Sequence, residues 1–154
     1  MNFRPCYLFD DLTDKHVNQI ISITREITVK KGQRIFTEDE EATALYIIEE
    51  GTVELMTKIE DDFEMPITIL RNPGDCFGTS ALIEPHIYSL SARCVADGAL
   101  LGIERSALQQ LMMKDHEVGC TIMRNLAQHY LDRLKQTRQE LKIHFRTLFR
   151  SVHS

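Results

Sequence analysis

No stretch of this sequence is apolar for long enough to cross a membrane, and the start MNFRPCYLFDDL lacks the apolar core of a secretory signal. A cytoplasmic protein that does not enter membranes is therefore expected. The four cysteines (Cys6, Cys76, Cys94, Cys120) form no CxxC pair, which points to free thiols in a reducing compartment. There is no GxSxG, no Walker A sequence and no Cys–His signature of a nucleophilic site. The histidines (His16, His86, His116, His129, His144, His153) include no His-x-His pair, and only His86 falls in the strand-rich region. A cupin-type metal centre needs such a pair, so no metal site and no enzyme activity are expected.

What is present describes one globular domain. Hydrophobic residues make up 43% of the 154 and charged residues 27%, which excludes a disordered chain. The net charge of −5 is unevenly spread. Residues 1–121 carry 11 Lys/Arg against 21 Asp/Glu, whereas residues 122–154 carry 7 against 2. An acidic body thus bears a basic tail (Arg133, Lys135, Arg138, Lys142, Arg146, Arg150). A solvated helix face is the plainer account; contact with nucleic acid or an acidic protein is the sharper one.

Residues 10–23 have the apolar spacing of a short helix, with Asp11 or Thr13 as cap. From Glu26 to Ile103 the chain becomes short β-branched runs separated by turns. Strands are expected at 27–29, 34–36, 45–48, 53–56, 66–70, 89–94 and 100–103. Gly51 suits a hairpin turn, Glu60–Glu64 a second hairpin tip, and Asn72-Pro73-Gly74-Asp75 a tight turn. Many short strands at close spacing predict an antiparallel jelly roll or barrel, mainly β with helices. Ser106 can cap a helix through Met113, and a long helix follows from about Val118 to Phe149. The boundaries are then a β-roll with its N-terminal helix over 1–117 and the long helix over 118–150.

Along that helix Met123, Ala127, Tyr130, Leu134, Thr137, Leu141, His144 and Leu148 alternate by four and three residues. This is a heptad seam, and a helix this long outruns a small barrel, so pairing of two copies in a homodimer is expected. Thr137 and His144 are polar seam positions of the kind that set register.

The order of elements also carries a resemblance. Leu8-Phe9, Lys31-Gly32-Gln33, Ala44–Ile48, Gly51-Thr52-Val53, Pro73-Gly74-Asp75-Cys76-Phe77-Gly78, Ala81-Leu82 and Leu101-Gly102-Ile103 together resemble the cyclic nucleotide-binding domain family. That family includes catabolite-activator-type regulators, cyclic-nucleotide-dependent kinases and gated channels. The resemblance implies a β-roll sensor with cyclic AMP or cyclic GMP (cAMP or cGMP) in a pocket around Phe77, Gly78, Thr79, Ser80 and Ala81. Amides of Thr79, Ser80 and Ala81 would face the cyclic phosphate.

Two positions depart from the family pattern. Thr79 stands where the family has the Glu that accepts from the ribose hydroxyl, and Tyr88 where it has the Arg that neutralises the phosphate. Ser89 matches a phosphate-binding Ser of the catabolite-activator branch. Each charge-assisted contact is worth about 1.5–3 kcal/mol. Losing both weakens affinity by roughly two to four powers of ten. Binding of cAMP or cGMP by the usual contacts is therefore not expected. Tyr88 could instead stack on or hydrogen-bond a different small molecule, or Arg138, beside Thr137 on the helix covering the pocket, could supply the missing cation. The catabolite-activator branch continues into a helix-turn-helix, for which the residues up to Ser154 leave no room. The expected protein is a regulatory sensor module signalling through its long helix. The alternatives are a ligand-independent adaptor and the N-terminal sensor part of a transcription regulator.

Overall fold

The computed structural model describes residues 1–153. Thr13, not Asp11, caps helix α1 (Asp14–Ile21): its hydroxyl accepts from the His16 amide at 3.2 Å. Asp11 adopts a left-handed φ of 69°, which turns the chain before the helix and shortens it from the expected span. Eight strands follow: β1 (Thr24–Val29), β2 (Arg34–Phe36), β3 (Ala44–Glu50), β4 (Val53–Glu60), β5 (Phe63–Leu70), β6 (Cys76–Phe77), β7 (Ser91–Cys94) and β8 (Gly98–Glu104).

They form two antiparallel four-stranded sheets, in the orders β1-β8-β3-β6 and β2-β7-β4-β5, folded face to face as a jelly roll. Gly51 makes the β3–β4 turn at φ 109°. The β4–β5 ladder continues to the pair Glu60–Phe63, so the acidic hairpin tip is only Asp61-Asp62. Strand β7 begins at Ser91, because Ser89 and Leu90 border a cavity instead of pairing. One core fills the roll between the sheets, around Phe36, Ile48, Val53, Phe77 and Leu100. A second lies between the roll and the helices, around Leu8, Ile20, Leu45, Leu101, Leu108 and Ile122.

Strand β8 runs directly into α2 (Arg105–Lys114), so Ser106 lies inside the helix and caps nothing. The Arg105 amide donates to the Thr43 carbonyl at 2.8 Å instead. Asp115 alone breaks the helix, at φ −128° and ψ 95°. Helix α3 then runs from His116 to His153, longer at both ends than expected. Among the described residues no helix is long and apolar enough to cross a membrane.

The first turns of α3 pack on the roll through Val118, Ile122 and Leu126. Every residue from 131 to 153 is exposed. Exposed apolar side chains there include Leu131, Leu134, Leu141, Phe145, Leu148 and Val152. These follow a four–three repeat that also contains Ala127 and Arg138. This stripe is displaced round the helix from the expected seam. Met123 is partly buried against the chain's own core, Tyr130 faces the roll, and Thr137 and His144 flank the stripe.

Candidate ligand site

Strand β6 ends at Phe77, and Gly78, with a left-handed backbone (φ 77°, ψ 22°), opens the 3₁₀ turn Thr79–Leu82; Gly78 and this turn form a strap over the end of the roll. A Cβ at Gly78 would sit 3.1 Å from the Phe36 ring, 3.2 Å from the Ala44 carbonyl oxygen and 3.3 Å from the Tyr88 ring. The conformation favours glycine here, and a side chain would also have to displace its neighbours by a few tenths of an ångström. The Ala81 amide, expected to face a ligand, donates to the Gly78 carbonyl at 3.1 Å, and Ala81 is fully buried. The Thr79 and Ser80 amides have no protein acceptor among the described residues. The Ser80 hydroxyl lies 3.4 Å from that of Ser89.

Tyr88 borders the cavity and is also built into the core. It is only 3% exposed, and its ring lies parallel to Phe36 with centroids 3.7 Å apart. Its hydroxyl donates to the Ala44 carbonyl at 2.6 Å and accepts from the Ala44 amide at 3.2 Å. Ala44 opens strand β3, so Tyr88 ties the loop before β7 to that strand. Burial pushes its phenol up, which keeps the donor proton in place. Tyr88→Phe is expected to leave two buried backbone groups unpaired and to cost about 1–3 kcal/mol. At about 2–4 °C per kcal/mol for a chain of this size, thermal unfolding reads this directly. An unchanged midpoint would refute the assignment.

Helix α3 forms the opposite wall. It is held there by Asn125, whose amide donates to the carbonyls of Leu8 at 3.0 Å and Asp10 at 2.8 Å. His129 stacks on Tyr7 at 4.0 Å. One residue on, the Tyr130 hydroxyl meets the Thr79 hydroxyl at 2.7 Å, a bridge between the strap and the helix. Burial pushes the Tyr130 phenol up, so this is a bond between two neutral hydroxyls. Between the walls lies a cavity of about 300 Å³. Phe36, Leu55, Leu70 and Tyr88 give it an apolar side; Thr68, Asp75, Ser80 and Ser89 give it polar groups.

Thr137 and Arg138 do not reach this cavity; both are exposed about a turn beyond it. The arginine that borders it is Arg133, whose guanidinium bonds Gln136 at 3.3 Å. Sequence reasoning missed Arg133, His129 and Tyr7. The spacing of one helix does not say where its axis passes the roll, and that decides which turn covers the cavity.

His129 is held below the ordinary histidine range, first by burial and then by the charge of Arg133. The folded ring therefore takes up a proton at lower pH than the unfolded one. Stability due to the neutral ring is full above the unfolded value of about 6.5 and declines as the pH falls below it. An imidazole NMR titration is expected to give a midpoint below 6.5, raised in Arg133→Ala; a midpoint above it would contradict this environment.

The sequence profile of the cyclic nucleotide-binding domain matches residues 26–115, which hold the whole strap, Tyr88 and seven of the eight strands entire. The chain belongs to the cyclic nucleotide-binding domain family. Within that family it is 27% identical over 125 residues to the CRP-like cAMP-activated global transcriptional regulator of Mycobacterium tuberculosis, covering 79% of this chain and 54% of the regulator. The chain thus spans about half the length of that relative. It is 28% identical over 107 residues to the cAMP-dependent protein kinase regulatory subunit of Eremothecium gossypii, covering 70% of this chain and 22% of the subunit. Thermus thermophilus catabolite activator protein superposes with a TM-score of 0.75 at 27% identity, covering 89% of this chain and 62% of that one. In this cyclic nucleotide-binding domain, the Thr79 hydroxyl bonds Tyr130 and the Tyr88 hydroxyl bonds Ala44.

Proposed function

We propose that this chain is a non-catalytic regulatory module of the cytoplasm that senses a small molecule in the cavity between Phe77–Leu90 and α3. It does not take cAMP or cGMP by the usual contacts. The observation that carries this is the Thr79–Tyr130 bond. It makes the strap and the signalling helix parts of one surface, so an occupant that separates or reinforces them shifts the orientation of α3. The exposed stripe Leu131–Val152 pairs with the same stripe of a second copy, so the shift is read as a change in a homodimer.

Calorimetric titration with cAMP and with cGMP tests the ligand half. Heat is expected to be absent, or to appear only at about millimolar ligand, following the two to four powers of ten expected from Thr79 and Tyr88. Micromolar binding would overturn this and make Arg133 the residue to replace first. The adaptor reading rests on a separate observation, the full exposure of 131–153 with its six Lys/Arg. Under it, binding to an acidic partner or to duplex DNA would fall steeply with salt. For the sensor, no such binding is expected at physiological ionic strength.

A further inference from the structure

We propose that His16, Asp115 and Glu117 form a site for a divalent transition metal, which ties α1 to the corner between α2 and α3. One ligand atom from each side chain lies within 4.8 Å of the other two. His16 and Asp115 are far apart in sequence, which is why no metal-ligand spacing is visible there. Packing of α1 on α2 brings them together.

Each ligand is positioned by something else. The His16 amide is held by the Thr13 cap, and its residue is 7% exposed. Nε2 faces Asp115 Oδ2 at 3.3 Å, and Nδ1 is buried with no partner. A buried Nδ1 without a partner is unusual, since buried polar groups are normally satisfied. Asp115 Oδ1 accepts from the Val118 amide at 3.4 Å, capping α3 and leaving Oδ2 turned to His16. Glu117, in the first turn of α3, adds a second, exposed carboxylate.

One neutral imidazole and two carboxylates match the borderline divalent ions zinc, cobalt and manganese, with water completing the shell. The ion would also offset the repulsion between two carboxylates held this close. The site spans the single break from which the long helix departs. Occupancy would therefore hold the exit direction of α3, a control separate from the ligand cavity.

The test uses metal-free protein titrated with Co²⁺, read by its visible absorption, and with Zn²⁺, read by calorimetry and thermal unfolding. One ion per chain is expected, with a rise in unfolding temperature that grows with free metal. Glu117→Gln is exposed and should fold normally, yet weaken binding about tenfold or more; His16→Gln should abolish it. His116 and Cys120 lie one turn apart on α3 and could hold zinc by themselves. The double variant His116→Ala, Cys120→Ser is therefore expected to keep full affinity. Absence of saturable binding, or loss in that double variant with retention in Glu117→Gln, would overturn the proposal. Neither result bears on the cavity or on pairing through α3.

Discussion

Replacing Leu134 and Leu141 together by Asp is expected to turn the proposed homodimer into a monomer. Both leucines project into solvent, 61% and 54% exposed, well beyond the end of the roll. In a paired α3 each would be covered by its counterpart. Burying a leucine contributes about 1.5–3 kcal/mol, and a dimer buries four of them. The double change therefore removes about 6 kcal/mol or more, which is roughly four powers of ten in the dimer dissociation constant. The roll itself should be unaffected, because neither side chain belongs to either core. Light scattering at micromolar protein gives the mass, and circular dichroism confirms that the chain still folds. A variant that remains dimeric would mean that pairing uses another surface.

Gly74→Ala is expected to destabilise the domain more than any single surface change. Gly74 lies in the Pro73-Gly74-Asp75 turn at φ 95°, a backbone conformation that an L side chain resists at a cost of roughly 1–2 kcal/mol. Its added Cβ would fall 2.4 Å from the Pro5 Cβ and 2.8 Å from the Pro5 carbonyl carbon. Relief requires the N-terminal segment to move, and that segment carries Tyr7, the stacking partner of His129 on α3. Overpacking of this kind costs about 1–3 kcal/mol more. The sum, about 3 kcal/mol, corresponds to a fall of about 6–12 °C in unfolding temperature. A midpoint within a degree of the parent would show that the N-terminal segment is free to shift.

The two glycines Gly74 and Gly78 were legible as turn positions, but their neighbours were not. Pro5 is far from Gly74 in sequence, and Phe36 is far from Gly78. Tyr88 shows the same limit from the other side. As a residue type in a motif it suggested a ligand contact, whereas the structure turns its ring onto Phe36 and its hydroxyl onto Ala44. An aromatic ring with a satisfied hydroxyl is as much at home in a core as in a binding site, and composition cannot separate the two. The helix was similar. Two four–three repeats can be traced along the same residues, and choosing between them needed to know which side chains the roll already covers.

The sequence by itself determined the jelly roll, the strap with its glycine and the presence of one long C-terminal helix. Those follow from local periodicity and turn chemistry, where each residue acts on its immediate neighbours. Tertiary structure alone decided that α3 covers the cavity with His129, Tyr130 and Arg133 instead of Thr137 and Arg138. It also decided that Tyr88 belongs to the core, that the exposed stripe runs through Phe145 and Val152, and that His16 faces Asp115. Each of these depends on the distance and rotation between elements. Those are set by the summed packing of residues remote in sequence, and no short-range pattern records them.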